Sequence, residues 1–363
     1  MMRLIGSAAV AGVLLVVGAS CGSGSSDSGT QSTVASAVTE STDAVTTAPV
    51  STEATTTAPA STAPATTEAP ATTEAPAPAD PLALAPAPIP SARQKPAEGE
   101  GEWKAVFSLD GADVIWTTSV HPVEGQSKVR ATAAVFDQNR LIAALFNGTE
   151  VPGKKGFTNG SKVSKALAPS LVASFNGGFE FRHMKGGYVT EGRKLKGLRK
   201  GDATLGVTTE GLLVLGVYGE DITDDGSWVS LRQNLPPIVL DGEVSVGRYK
   251  GIYWGDNFGG VTVTYRSAIC RIADGRLMYV AMGAVDITPM ARGLVAMGCE
   301  MAMQLDINGH WPNFVWYRNL GETTRKGVVI DSRMNGQQRV LTGWKKDFIA
   351  LFDPASVDRA RLA

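Results

Sequence analysis

Short apolar runs, broken by glycines and Asp-Gly pairs, dominate residues 103–353 and predict many strands and few helices. VRATAAVFD (129–137) and RLIAALFNG (140–148) flank a tight turn and read as a hairpin. Further strands are predicted at 171–175, 204–207, 212–217, 237–240, 261–272, 276–282 and 300–306. Asp110-Gly111, Asp225-Gly226, Asp241-Gly242 and Asp274-Gly275 punctuate them as turns. One helix is well marked, with Thr288 as its cap, Pro289 in its first turn, 290–297 as its body and Gly298 as its left-handed stop. A shorter helix is expected at 161–167, halted by Pro169. The fold class that follows is α+β, a single mixed-sheet domain with a few helices. Strand, helix and strand from 263 to 306 would present the loop after Asp306.

Before residue 100 the pattern differs in kind. Arg3 precedes an apolar run at 4–17 that is too short to span a bilayer. Gly18, Ala19 and Ser20 then lead into Cys21, so residues 1–21 read as a lipoprotein-type signal peptide with Cys21 as the lipidation site. The alternative is ordinary secretion, with Cys21 merely near the cleavage point. Both place the chain outside the cytoplasm, and the first anchors it to the cell membrane by lipid. Residues 22–100 are Ser, Thr, Ala and Pro with scattered acids, and near-repeats of ATTEAP occur at 65–76. With so few large apolar side chains, such a segment cannot offset the entropy of ordering, and it reads as a disordered tether. A flexible chain of ~75 residues spans roughly 50 Å end to end, and proline lengthens it. Residues 101–355 are left as the folded domain, with 356–363 as a C-terminal tail.

The formal charge of the whole chain is −1, from 34 basic and 35 acidic residues. Residues 1–100 hold three of the basic and nine of the acidic groups, so the remainder carries 31 against 26 and is about +5. A mildly basic domain suits an anionic ligand. Its basic residues are scattered, and the 193–200 stretch reads as a solvated loop, so nucleic acid is not an expected partner. Cys270 and Cys299 lie in strand-like runs, and both a bridge and two buried thiols stay open. No metal-binding motif is visible, and the cofactor is unknown. No Walker loop, no dinucleotide fingerprint after a strand and no Gly-x-Ser-x-Gly elbow occurs in the folded domain.

Several segments resemble the phosphodiester glycosidase family in order and spacing. SFNGGF (174–179) is similar to the family's Asn-Gly-Gly-aromatic turn, with Glu180 where a second aromatic usually stands. GGYVTEG (186–192), PIVLDGE (237–243) and YRSAIC (265–270) resemble further elements, with Asp241 for Asn, Ser267 for Thr and Cys270 for Gly. MARGLVAMGCEMAMQLDINGH (290–310) resembles the helix, the Gly-Cys turn and a Leu-Asp-Gly-Gly-Gly-Ser ending, here LDINGH. The resemblance covers most of 106–353 and implies the corresponding fold.

It also implies a site. Cleaving a sugar-1-phosphodiester at the glycosidic carbon passes through an oxocarbenium-like state with a good leaving group. The chemistry needs a carboxylate near the anomeric carbon and cationic or amide donors around the phosphate. Asp306 is the candidate nucleophile, base or electrostatic stabiliser, and Arg266 the phosphate clasp. His310 would protonate or bind a phosphate oxygen. Asn176, Gly177, Gly178 and Asn308 would bind substrate, and Glu191 and Glu180 are possible second carboxylates. Trp311, Trp316 and Tyr317 could stack on a sugar, with core packing expected for at least two of them. The expected function is an envelope-anchored hydrolase of a sugar-1-phosphodiester or related glycosidic linkage in a glycan or surface polymer. The expected partners are that carbohydrate or sugar-phosphate polymer and the membrane. The alternative is a non-catalytic module of the same fold that binds anionic envelope glycans.

Overall fold

The computed structural model describes residues 84–153, 156–255 and 260–363, so the expected signal peptide, Cys21 and most of the expected tether lie outside the described residues. In chain order the strands are β1 (Lys104–Leu109), β2 (Ala112–Val120), β3 (Ala131–Phe136), β4 (Ile142–Phe146), β5 (Leu171–Asn176) and β6 (Tyr188–Thr190). Next come β7 (Arg193–Lys196), β8 (Ala203–Thr208), β9 (Leu213–Val217), β10 (Trp228–Gln233), β11 (Val239–Leu240) and β12 (Glu243–Val244). The last six are β13 (Thr264–Ile272), β14 (Leu277–Val285), β15 (Cys299–Ile307), β16 (Phe314–Arg318), β17 (Lys326–Val329) and β18 (Phe348–Phe352). The helix α1 (Ile287–Ala296) joins β14 to β15, and a single turn, α2 (Arg339–Thr342), precedes β18.

Among the described residues the strands form three sheets, ordered β1-β2-β3-β14-β13-β15-β11-β12, β7-β6-β10-β8-β9 and β17-β16-β5-β18-β4. The α+β domain with a few helices is borne out. Pairings between named strands are antiparallel, and parallel contacts are the isolated bridges Gly148–Pro152 and Tyr218–Ile222. A shared core lies where the sheets meet, built from Phe136, Phe175, Leu205, Leu215, Tyr279, Leu305, Phe314 and Leu351 among others. The opposite face of the large sheet is covered by α1, whose Ile287, Met290, Ala291 and Leu294 fall on one helical stripe. Burying each of the larger ones contributes about 1.5–3 kcal/mol.

The hairpin expected at 129–148 does not form. β3 pairs with β2 and β14, whereas β4 pairs with β18 in another sheet. Every residue of both strands is buried, so each strand needs neighbours and cover on both faces, which a two-stranded hairpin cannot supply. A 3-10 turn at Gln138–Arg140, capped by Asp137, carries the chain between the sheets. The helix expected at 161–167 is also absent, and Pro169 instead sits inside a 3-10 turn at Ala168–Ser170. Asp286, not Thr288, caps α1, accepting from the Ile287 amide, and Gly298 takes φ +87° just beyond Met297.

The last part of the predicted tether is ordered. Ile89 is buried with the α1 cluster, its amide bonded to the Gly101 carbonyl, and the Trp103 indole donates to the Ala87 carbonyl. Glu100 accepts from Ser91, Ala97 and His121. Burial works to raise its pKa, but these bonds outweigh it and hold the carboxyl down at about 2. Ile89, Glu100 and backbone bonds to Arg276, Trp103 and His121 fasten a segment whose composition alone predicts disorder. The C-terminal residues pack as well, with Asn159 donating to the Ala363 carbonyl and Leu362 against the core.

Cys270 and Cys299 are disulfide-bonded across β13 and β15, 29 residues apart, which resolves the open alternative for a bridge. Closing a loop of that length removes unfolded-chain entropy worth about 3–4 kcal/mol. The expected result for Cys270→Ala/Cys299→Ala is a stability loss of about that size by denaturant titration, and an unchanged midpoint would contradict it.

Candidate active site

The site is built at strand ends. β5 ends at Asn176 and runs into residues 177–183, β15 delivers Asp306 and Ile307 into residues 308–311, and Lys346 and Asp347 immediately precede β18. The register sets Phe348 opposite Asn176, so these termini lie side by side. Between them opens a cleft of about 310 Å³, lined by Phe179, Glu180, Arg182, His183, Asp306, Asn308, His310, Trp311 and Lys346, with Tyr253 and Gly255 on the facing loop.

Asp306 is only 6% exposed. Its Oδ1 accepts from the Ile307 amide at 2.9 Å, while Oδ2 has Lys346 Nζ at 3.3 Å and no well-aligned hydrogen bond. Burial raises its pKa; Lys346 and the Ile307 amide only partly offset this, and nearby Asp347 adds to it, so the carboxyl titrates at about 6. Lys346 also donates to Glu180 at 2.6 Å, and Arg182 lies 2.7 Å from the same carboxylate. For Glu180, burial is the largest influence and works upward, but Lys346, Arg182 and His183 together pull the pKa below its usual value. One lysine therefore joins two carboxylates whose surroundings push their pKa values in opposite directions.

Beneath the cleft a buried polar network ties the three sheets together. The Asp306 amide donates to the Gly177 carbonyl, and the Gly177 amide to the Asp347 carbonyl. Ser267 donates to the Asp306 carbonyl, and Asn176 donates to Ser267 while accepting from Tyr279 and the Asn313 amide. Arg232 of β10, 1% exposed, grips Asp347 through Nε at 2.7 Å and Nη2 at 3.2 Å and also donates to the Phe179 and Gln233 carbonyls. Burial alone would lower the Arg232 pKa, but the Asp347 carboxylate reverses this and raises it. Asn234 accepts from the Phe179 amide and donates to the Gln304 carbonyl. Lys196 of β7 holds the 179–184 turn through the Phe181 and Met184 carbonyls. The 193–200 stretch thus contains a strand that braces the cleft wall, not only a solvated loop.

The predicted residues divide between cleft and scaffold. Asp306, Asn308 and His310 line the cleft. Asn308 adopts φ +77°, the left-handed conformation that the glycine of the family ending would take at no steric cost, and its side chain accepts from the His310 amide. Arg266 does not face the cleft. Wholly buried, it donates to the carbonyls of Val285, Trp254, Gly255 and Thr262, so it fastens the loop carrying Tyr253 rather than clasping phosphate. Asn176 spends its amide in the network above. Glu191 sits in the β6–β7 turn and accepts from the Thr158 and Asn159 amides, away from the cleft lining. Of the three aromatics, Trp311 lines the cleft with Lys346 Nζ 4.6 Å from its ring centre, whereas Trp316 and Tyr317 pack in the core.

Gly177 and Gly178 act through close approach. A Cβ on Gly177 would overlap the Asp347 carboxylate, and one on Gly178 would crowd the Arg232 guanidinium at 3.1 Å. Gly177→Ala is expected to cost about 1–3 kcal/mol by overpacking, read as a lower melting temperature; wild-type stability would contradict this.

Lys346, Arg182, His183 and the Arg232–Asp347 pair escape the sequence reading. The adjacent basic-basic-acid run before an apolar strand, WKKDFIALF, is the one local signal that flags Lys346 and Asp347. Among the described residues no group of three His, Cys, Asp or Glu side chains could hold a metal ion.

Two carboxylates and two cationic side chains thus meet in one cleft at the ends of strands. The family model described as phosphodiester glycosidase matches residues 169–306, which carry both the 177–183 turn and Asp306 and bear out the resemblance read from the sequence. Several solved structures are similar to the chain. One is the catalytic domain of zebrafish N-acetylglucosamine-1-phosphodiester alpha-N-acetylglucosaminidase, auto-inhibited by its pro-peptide, at 15% identity and TM-score 0.44, covering 69% of this chain and 87% of that one. Another is a hypothetical protein from Synechocystis, at 10% identity and TM-score 0.43, covering 70% of this chain and 64% of that one. No curated protein matches the chain.

Proposed function

We propose that this protein is a hydrolase that cleaves a sugar-1-phosphodiester, or a related glycosidic linkage, in a glycan or surface polymer outside the cytoplasm. The observation that carries the reading is Asp306, a buried carboxyl titrating at about 6 in a cleft that also holds Lys346, Arg182, His183 and His310. The cations suit a phosphodiester, Trp311 offers a face to a sugar ring, and the matched family is described as phosphodiester glycosidase. A phosphate leaving group needs little protonation, so the carboxylate's main work is to take a proton from the attacking water. The Cys270–Cys299 bridge suits an oxidising compartment. The sequence before residue 84 suits a lipid anchor at Cys21 and a long tether to a membrane.

The test is turnover of a panel of hexose and N-acetylhexosamine 1-(methyl phosphates) as a function of pH. A base must be ionised to act, so kcat is expected to rise about tenfold per unit up to about pH 6 and then level off. The stability contribution has the opposite sign. The fold favours the protonated form of Asp306, so this contribution is complete below 3.8 and lost as pH rises through about 6. A rate already flat from pH 4 would remove Asp306 as the base. Binding of these compounds without turnover would favour a non-catalytic module of the same fold.

A further inference from the structure

We infer that Glu180 is a second catalytic carboxylate, the nucleophile of a double displacement that retains anomeric configuration; this rests on the glycosidase reading above. Glu180 Oε1 and Asp306 Oδ2 lie 2.6 and 3.3 Å from the same Lys346 nitrogen. The nearest oxygens of the two carboxylates are therefore separated by no more than about 6 Å, close enough for a sugar's anomeric carbon to be reached from both. A retaining pair stands about 5–5.5 Å apart, within that ceiling. Both carboxylates line the cleft, and the network beneath them fixes their separation, because Asp306 is bonded through Gly177 to the turn that leads to Glu180.

The two roles follow from the surroundings. Glu180 is partly exposed and kept charged by Lys346 and Arg182, as a nucleophile must be. Asp306 is buried, with Oδ2 lacking an aligned donor, and readily takes up a proton. In the first step a Glu180 oxygen bonds to the anomeric carbon as its bond to the phosphate oxygen breaks. The electron pair leaves on the phosphomonoester, whose added charge meets Lys346 and Arg182. In the second step water attacks the same carbon, its proton passes to Asp306, and the bond to Glu180 breaks with its pair returning to the carboxylate. Asp306 then gives its proton up to solvent, so the net change consumes one water and yields free sugar, the phosphomonoester dianion and one proton. The family resemblance places an aromatic residue at position 180, so this carboxylate is a feature of the present chain.

The experiment uses the full chain with the panel members it turns over. Proton NMR at early times is expected to show the first-formed sugar in the substrate's configuration. In Asp306→Asn the second step is slowed, so a sugar adduct is expected to accumulate on Glu180, detected by peptide mass spectrometry. Glu180→Ala is expected to lose at least about 10³-fold in kcat, with azide restoring turnover as the glycosyl azide of inverted configuration. A merely structural Glu180 would give no adduct and no azide product. An inverted first-formed sugar without an adduct would overturn the inference while leaving the glycosidase reading intact. Release from no panel member by the wild type would overturn both.

Discussion

Asp306→Asn is expected to lower kcat about 10²–10⁴-fold, the range lost when a positioned proton acceptor is removed. The amide keeps the volume of the carboxyl, and its oxygen can still accept from the Ile307 amide, so the fold is expected to survive. The pH profile separates chemistry from structure. Residual activity in the variant should no longer rise through pH 6, because the group that titrates there is gone. A variant that kept the rise while losing only rate would assign the titration to another group. KM is expected to fall together with kcat, because a slowed second step lets the sugar adduct accumulate, and kcat/KM is expected to change much less.

The largest stability effect is expected at Asp347. Removing its carboxylate by Asp347→Ala leaves the Arg232 guanidinium, 1% exposed, without its counter-charge. Breaking one partner of a buried pair costs about 3–5 kcal/mol. At this chain length that corresponds to a melting temperature lower by roughly 10 °C. The double replacement Arg232→Met/Asp347→Leu removes both charges and is expected to recover much of the loss in a double-mutant cycle. A double-variant loss equal to the sum of the losses in Arg232→Met and Asp347→Leu alone would show that the two residues act independently. Activity should fall in Asp347→Ala as well, because this pair supports the turn on which Phe179 and Glu180 stand.

Part of this was legible in the sequence, because some signals are local. An apolar run ending in Asp306 before an Asn-Gly turn reads directly as a strand delivering a carboxylate, and α1 carries its own proline and terminal glycine. Arg266 suits a phosphate by type, whereas the fold gives it backbone carbonyls four to nineteen residues away and the Asp286 carboxylate at 3.7 Å, partners that leave no trace in composition. Lys346 stands 40 residues from Asp306 and 166 from Glu180, so only the folded register of β5 beside β18 brings the three together. The hairpin at 129–148 failed for a related reason. Its two runs are apolar on both faces, and periodicity cannot say which sheets will cover them. At 84–100 a few contacts, those of Ile89 and Glu100 and the bonds to the Leu84, Ala87 and Ala92 backbone, stand against a background that argues for disorder.

The most direct test of the central claim is where solvent oxygen goes. Hydrolysis of a turned-over sugar 1-(methyl phosphate) in ¹⁸O-water, with both products weighed by mass spectrometry, distinguishes cleavage at carbon from cleavage at phosphorus. A glycosidase working from the Asp306 cleft puts the label on the anomeric oxygen of the sugar and leaves methyl phosphate unlabelled. Label in the phosphate, with an unlabelled sugar, would make the protein a phosphodiesterase and contradict the account.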